Sequence, residues 1–388
     1  MKKVKGANMQ YNLALIGCGR VAEKHLKAIR HNKERLNLIA VVDLDPAKVR
    51  NMLDRFLPGR IRGARVFSDV TEMMEATRPD IAAITTPSGT HYEIAKQIIQ
   101  KGVHVLIEKP MTLDIDEARE LTELAKEHKV QIIMGHIYRY LPLTDLIHAD
   151  VASGRLGKVY SGDVKVRWGH GQEYYDQAGW RGTWAHDGGA LMNQTVHACD
   201  LMCWLMNDYP VQVSGMIERM AHRMEAEDYG AAVMRMASGA ICMVEGTTNN
   251  SPRNRGATFY VITEKAEIEA GIHSGKIHFK VIDHEGKKQT RKYYGRLLRQ
   301  IVKNGGLRAL KRLINPHSGI YFDLINCIDN NETPRADGHS GVQSVETILA
   351  IYQSAVRSGQ PVALPLEGFK LEDMDGYFDS CSDSRDKV

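Results

Sequence analysis

Residues 186–205, HDGGALMNQTVHACDLMCWL, contain polar side chains that could take part in chemistry. Asn193 and His197 are four residues apart, and Asp200 follows three residues later. At helical spacing the three side chains share one face, which also carries apolar residues. Because an imidazole titrates near neutral pH, His197 is a candidate general base. We expect Asn193 and His197 to line a cleft, and Asp200 to be a structural hydrogen-bonding residue behind them.

A second candidate site lies near the N-terminus, in the sequence GCGRVA, residues 17–22. It follows a short apolar run and opens a predicted helix, which is the context that a dinucleotide-binding turn requires. Gly17 permits a tight turn, Gly19 lets the backbone approach a pyrophosphate, and Ala22 lets the helix pack near the strand. The helix N-terminus stabilises the negative charge. The residues predicted to bind the dinucleotide here are Gly17, Gly19, Arg20, Val21 and Ala22.

Asp43 ends the second apolar run and lies 21 residues beyond Ala22. A carboxylate at this place accepts hydrogen bonds from the adenosine ribose hydroxyls. It would repel a 2′-phosphate, and the next two residues supply no arginine to hold one. The predicted cofactor is therefore NAD(H), in preference to NADP(H).

The elements that must position these residues alternate between strand and helix in the first third of the chain. Short apolar runs occur at 11–17, 36–46, 80–88, 102–110 and 130–136, with helical stretches between them. This pattern predicts an α/β fold with an N-terminal doubly wound parallel sheet, a Rossmann domain over residues 1–142. From residue 143 to 388, glycine-punctuated apolar stretches predict a second α/β domain with a large, mostly antiparallel open sheet for substrate binding and oligomerisation.

Composition narrows the class of protein. The net charge of +4 in 388 residues argues against a general nucleic-acid binder. No stretch approaches the roughly 18 apolar residues of a membrane span, and no signal-peptide core follows the basic N-terminus. The six cysteines are scattered, and their spacing is typical neither of a disulfide framework nor of a zinc site, so no metal is predicted. The expected location is the cytoplasm.

Several motifs together resemble one enzyme family. They are GCGRVAEKHLKAI (17–29), TPSGTHYEIA (86–95), EKP (108–110), the stretch 186–205 and SVETILAIYQSAVRSGQPV (344–362). The chain resembles the glucose–fructose oxidoreductase / inositol dehydrogenase (Gfo/Idh/MocA) family over nearly its whole length. The resemblance implies a homo-oligomer, a dimer or tetramer, formed through the open sheet. It also implies that Lys109 and His197 are the catalytic pair.

The catalytic roles are predicted only in part. Many family members have aspartate where this chain has Asn193, and an asparagine can orient a histidine or a substrate hydroxyl but cannot raise basicity by charge. We favour His197 as the base and Lys109 as an orienting cation, with the opposite assignment open. The segments 174–197 and 244–254 are similar to a subgroup that oxidises C3 of UDP-N-acetylglucosaminuronic acid for bacterial surface polysaccharides. An inositol, polyol or 3-keto-sugar dehydrogenase, an NAD-dependent glycosidase and an NAD-binding regulator are the alternatives.

Other residues are assigned to the two ligands by position. An aromatic-rich loop with an arginine suits a sugar bearing an acidic group. Arg139 and Tyr140 either hold an anionic substrate or brace the domain junction. The basic segment 296–312 is a solvated face, a contact for a pyrophosphate or a contact for an anionic membrane surface. Further cofactor residues are Thr86, Pro87, Ser88, His91, Glu108 and Lys109, and further substrate residues are Lys109, Arg139, Tyr140, Tyr174, Trp180, Arg181, Asn193 and His197.

Overall fold

The structure is a computed structural model that describes residues 9–56, 63–303 and 315–379. Its chain divides into two compact units. The first comprises Met1–Met111, Glu117–Leu141 and Ile301–Gly341, and the second comprises Thr112–Asp116, Pro142–Gln300 and Val342–Val388. The break after Leu141 falls beside the boundary predicted at residue 142. The sequence pattern does not indicate that residues 301–341 return to the first unit.

The first unit contains a six-stranded parallel sheet with the order β3-β2-β1-β4-β5-β6. The predicted doubly wound sheet is thereby confirmed; its three-residue strand β3 lies outside the predicted runs. The strands are β1 (Tyr11–Ile16), β2 (Leu36–Val42), β3 (Arg65–Phe67), β4 (Ile81–Ile84), β5 (His104–Ile107) and β6 (Ile132–Met134). The helices are α1 (Ala22–His31), α2 (Pro46–Phe56), α3 (Val70–Ala76), α4 (His91–Ile99) and α5 (Ile115–Glu127), with α10 (Pro316–Asn330) returning later.

Burial on both faces explains why these strands are short apolar runs. Leu13 and Leu15 of β1 and all four residues of β4 are buried. Such strands need helices on both sides, which the βαβ connections supply. The strand order reverses between β1 and β4, and ligands of open α/β sheets bind beyond the carboxyl ends of the strands at such a point.

The second unit contains an eight-stranded sheet with the order β13-β12-β11-β7-β10-β9-β8-β14. Only β7 and β10 pair in parallel among its described strands, so the predicted antiparallel sheet is confirmed. The strands are β7 (Val159–Arg167), β8 (Pro210–Glu218), β9 (Tyr229–Met236), β10 (Ile241–Thr247), β11 (Gly256–Thr263), β12 (Ala266–His273), β13 (Lys276–Asp283) and β14 (Val362–Ala363). The helices are α6 (Pro142–Ala152), α7 (Gln172–Asp176), α8 (Val196–Met206), α9 (Thr290–Lys303) and α11 (Gly338–Val356), of which α9 after Gln300 and α11 before Val342 fall in the first unit.

The two faces of this second sheet differ. Helix α8 packs closely on β7, where a Cβ on Gly162 would lie 2.6 Å from the sulfur of Met206. The other face exposes apolar side chains, among them Met216 (71%), Val233 (49%) and Met243 (50%). Within the described ranges no helix is both long and apolar enough to cross a membrane.

Candidate active site

The glycine turn after β1 packs directly against the end of β4. Gly17 has a φ of +91°, and a Cβ there would lie 2.8 Å from backbone atoms of Thr85 and Thr86. The hydroxyl of Thr85 donates to the Gly17 carbonyl at 2.6 Å. Only glycine fits this position, because both the backbone angle and the close approach exclude a side chain. The turn leads directly into α1, whose N-terminus is the predicted site for the pyrophosphate.

Asp43 connects the end of β2 to the glycine turn. One carboxylate oxygen accepts the N–H of Cys18 at 2.6 Å, and the other accepts the N–H of Asp45 at 3.0 Å. The ammonium of Lys48 lies 3.7 Å from the first oxygen. The carboxylate therefore holds the turn in shape, in addition to the ribose contact predicted for it.

Lys109 follows β5 in a loop that a buried hydrogen-bond network holds. The Glu108 carboxylate is buried and hydrogen-bonds with Nε2 of His25 at 2.9 Å, while Nδ1 of His25 hydrogen-bonds with the Tyr321 hydroxyl at 2.9 Å. The N–H of Lys109 donates to the same carboxylate at 3.3 Å. Glu108 and Pro110 are buried, and Lys109 between them is partly exposed. Glu108 thus positions the lysine by binding neighbours within the protein.

A second imidazole nitrogen approaches Glu108. Nε2 of His317 lies 3.7 Å from its carboxylate, and the ligand atoms of His25, Glu108 and His317 all lie within 4.8 Å of one another. Burial, and then the neighbouring His25, lower the pKa of His317 to about 3, so its imidazole is neutral. The direct hydrogen bond between His25 and Glu108 holds two members of this cluster together.

His91 joins the two loops that follow β4 and β5. Its Nδ1 lies 2.8 Å from the Pro110 carbonyl oxygen and its Nε2 lies 3.0 Å from the Thr86 carbonyl oxygen. Burial lowers the pKa of His91, and the two carbonyls oppose this effect. Because both nitrogens face backbone carbonyls, we interpret His91 as a brace for Thr86–Ser88 and for the Lys109 loop.

His197 lies in the first turn of α8, directly after a π-helical segment, Ala190–Thr195. The hydroxyl of Thr195 donates to the Ala190 carbonyl at 2.8 Å across this wide turn. Strand β10 permits the packing, since a Cβ on Gly246 would lie 2.1 Å from that hydroxyl oxygen. The spacing of Asn193, His197 and Asp200 predicts a regular α-helix, whereas the structure has a π-helical segment as far as Thr195. π-Helical turns are rare in proteins, and those that occur are often found at functional sites.

Asn193 and His197 are partly exposed, and Asp200 is buried. The side-chain amide of Asn193 donates to the carboxylate of Asp187, and its carbonyl oxygen accepts from Gln194 at 2.7 Å. Asp187 is itself buried. It orients the amide of Asn193, a role that sequence reasoning did not find because no motif marks this aspartate.

Two adjacent carboxyl groups, Glu227 and Asp228, have opposite pKa shifts, and Glu227 contacts the π-helical segment. Glu227 is fully buried and accepts from the Leu191 N–H at 2.8 Å and the Tyr352 hydroxyl at 2.9 Å. Burial raises the pKa of Glu227 to about 8, so this group is mostly protonated at neutral pH. Burial also opposes ionisation of Asp228. Hydrogen bonds from His222 and from two backbone N–H groups outweigh that effect and hold the pKa of Asp228 well below its usual range.

The aromatic loop before the π-helical segment forms one cluster. The guanidinium of Arg181 lies 4.3 Å from the ring centre of Tyr174 and 5.4 Å from that of Trp180. It also donates to the Tyr174 carbonyl at 2.8 Å. Trp184, by contrast, is buried, with its ring edge-to-face with Tyr352 at 5.4 Å. Tyr174, Trp180 and Arg181 are partly exposed and stay candidates for substrate contact.

Arg139 and Tyr140 are committed to contacts within the first unit. Arg139 donates to the carbonyl of Arg335 at 2.8 Å, and the Tyr140 hydroxyl donates to Asp323 at 2.8 Å. Both residues are buried. These contacts brace segments of the first unit against one another, while the two predicted roles, holding an anionic substrate and bracing the domain junction, stay predictions.

The basic segment 296–312 is described as far as residue 303, where α9 ends. Its remaining residues, 304–312, lie outside the described part of the chain.

Solved structures share this architecture. The WlbA dehydrogenase from Bordetella pertussis, in complex with NADH and UDP-GlcNAcA, is 30% identical with a TM-score of 0.79, covering 93% of this chain and 99% of that chain. The WlbA dehydrogenase from Chromobacterium violaceum, in complex with the same two ligands, is 30% identical with a TM-score of 0.79, covering 93% and 98%.

Curated relatives are more distant. An uncharacterized oxidoreductase of Synechocystis is 25% identical, covering 91% of this chain and 96% of its own length. The glucose-6-phosphate 3-dehydrogenase of Bacillus subtilis is 24% identical, covering 70% and 77%.

Two family profiles match the chain. Residues 11–136 match an oxidoreductase family with an NAD-binding Rossmann fold, and residues 146–269 match the GFO/IDH/MocA C-terminal domain. Together they span more than half of the 388 residues. The glycine turn and Asp43 at the carboxyl edge of the first sheet fit the NAD that this fold binds. The chain therefore belongs to the Gfo/Idh/MocA family and is an NAD-dependent dehydrogenase.

Proposed function

We propose that this protein is a cytoplasmic dehydrogenase that oxidises a ring secondary hydroxyl, at C3, of a UDP-linked N-acetylhexosaminuronate for surface-polysaccharide biosynthesis. The observation that carries this proposal is the similarity, over nearly all of both chains, to the two WlbA dehydrogenases crystallised with NADH and UDP-GlcNAcA. The curated relative named as a 3-dehydrogenase supports oxidation at C3.

Bound NAD⁺ supplies the acceptor for the hydride that leaves the carbinol carbon. The hydroxyl proton must go to a base as the carbonyl forms. His197 fits this role, because its imidazole is partly exposed at the start of α8 and an imidazole nitrogen can accept a proton. Asn193, oriented by Asp187, presents an amide suited to a sugar hydroxyl.

Lys109 fits the role of an orienting cation. Its backbone is fixed by Glu108, while its side chain is partly exposed at the carboxyl end of β5. An ammonium beside the reacting oxygen stabilises the negative charge that develops as the proton leaves. The aromatic cluster of Tyr174, Trp180 and Arg181 supplies a cation and ring faces for an acidic sugar.

The open face of the second sheet supports a homo-oligomer as part of this proposal. Met216, Val233 and Met243 expose a large share of their apolar surface on neighbouring strands. Contiguous apolar surface of this kind marks interaction sites, and a symmetric pairing of identical faces would cover it.

The test follows NADH formation by its absorbance with UDP-N-acetylglucosaminuronic acid, free sugars and inositols. We expect turnover with the nucleotide sugar only, and loss of at least a hundredfold in kcat for His197→Ala and Lys109→Ala. The matched controls are His186→Ala and Lys101→Ala, which change exposed residues of the same type. Turnover with free polyols would move the substrate to the inositol or sugar alternatives. NAD binding without any reduction would favour the glycosidase or the regulator.

A further inference from the structure

Helix α9 is anchored to the second unit by one of its faces. The Tyr293 hydroxyl donates to the buried carboxylate of Asp150 at 2.8 Å, and Arg296 donates to both oxygens of the same carboxylate. One turn later, the amide of Gln300 donates to Asp145 at 3.3 Å. Both acceptors belong to α6. These contacts fix which face of α9 points toward the protein.

The opposite face of α9 carries a line of solvent-exposed apolar side chains, here called the stripe. Tyr294, Leu298 and Val302 are 46%, 63% and 69% exposed. Their spacing of four residues places them along one line of the helix. Single exposed apolar residues are ordinary, but three aligned on one helix mark a surface that another apolar phase covers.

A basic flank runs beside this stripe. Arg299 and Lys303 each follow a stripe residue by one position, which places them about 100° around the helix. Lys292 lies seven residues before Arg299, on the same side, and all three are exposed. The helix has no aspartate or glutamate. Long basic side chains in this position can lay their methylene groups along the apolar surface and extend their charges beyond it.

We propose that the Tyr294–Leu298–Val302 stripe and its basic flank bind the interfacial region of a membrane containing anionic lipids, with α9 parallel to the surface. At such an interface the apolar stripe would contact the lipid acyl chains, and the basic residues would contact the lipid phosphates. A nucleic acid would leave the stripe in water. A second copy of α9 would bring two basic flanks together. This attachment is peripheral, and it does not depend on the substrate proposed above.

The test is flotation of the full-length protein with vesicles. The probes are vesicles of phosphatidylcholine and phosphatidylglycerol in equal parts, and vesicles of phosphatidylcholine alone. We expect the protein to float with the anionic vesicles and far less with the neutral ones, and to be released by salt. Leu298→Glu should lower the partition coefficient by about tenfold or more, because it removes apolar area and adds a repelled charge.

A matched variant distinguishes binding through this surface from nonspecific adsorption of the protein to vesicles. Leu44→Glu makes the same change at a leucine that is 91% exposed in the first unit, and it should float like the wild type. Arg299→Gln with Lys303→Gln keeps the stripe and should cost about fivefold per charge, with a weaker response to salt. Circular dichroism checks that each variant is folded.

Three results would overturn the proposal. The first is no flotation of the wild type with anionic vesicles, and the second is equal flotation of Leu298→Glu and the wild type. The third is that light scattering shows a different oligomeric state for Leu298→Glu than for the wild type, while neither protein binds vesicles. That result would mean that a second copy of the chain covers the stripe.

Discussion

Replacing Glu227 by glutamine should remove the part of the second unit's pH-dependent stability that this carboxyl group contributes between pH 4.5 and 8. The carboxyl group is fully buried and accepts two hydrogen bonds on one oxygen, from the Leu191 N–H and the Tyr352 hydroxyl. A glutamine has nearly the same shape, and its carbonyl oxygen can accept the same two bonds. It differs in that it cannot ionise inside the protein.

The size of the effect follows from the raised pKa of Glu227. The native group keeps its proton up to about pH 8, whereas in the unfolded chain it ionises near its ordinary value of 4.5. Stability from this group is therefore intact below pH 4.5 and is lost as the pH rises to 8. At about 1.4 kcal/mol per pH unit the whole loss is ~5 kcal/mol, of which ~3 kcal/mol has occurred at neutral pH.

The assay is urea unfolding at a series of pH values, followed by tryptophan fluorescence. All four tryptophans of the chain lie in the second unit, so the signal reports on that unit. We expect the variant to be more stable than the wild type at high pH, with the difference shrinking on acidification. The control is Glu367→Gln, which changes an exposed glutamate and should follow the wild type. Parallel pH profiles for Glu227→Gln and the wild type would refute the reasoning.

Three further predictions concern backbone fit and charge. Gly17→Ala should weaken NAD binding by more than tenfold in calorimetry, because its Cβ would lie 2.8 Å from backbone atoms. The control is Gly63→Ala, whose Cβ would meet no atom within 4 Å, and it should bind NAD like the wild type. Gly246→Ala should displace Thr195 and lower kcat while leaving NAD affinity unchanged, and a normal kcat would contradict this. Asp228→Asn should destabilise the protein by about 2 kcal/mol at neutral pH. Since the pKa of Asp228 is lowered, the wild type should lose this advantage on acidification below its ordinary value of 3.8, which acid titration of both proteins checks.

The sequence alone was sufficient for features that depend on neighbours along the chain. Alternating apolar runs and helices predicted the parallel sheet, because each strand and its crossover helix carry their own periodicity. The glycine turn and Asp43 were found for the same reason, since a tight turn and a strand end are local structures. Asn193 and His197 are partly exposed, and both the cleft and the catalytic roles expected for them stay predictions.

Only the tertiary structure decided how these local pieces are supported. Glu227 accepts a hydrogen bond from the hydroxyl of Tyr352, 125 residues later in the chain. Glu108 is hydrogen-bonded with the imidazole of His25, 83 residues earlier. The hydroxyl of Tyr140 donates to Asp323, 183 residues later, within the first unit. Periodicity and motifs carry no information about such pairs. Burial decides whether a carboxyl group is charged, and burial depends on segments that meet only when the chain has folded.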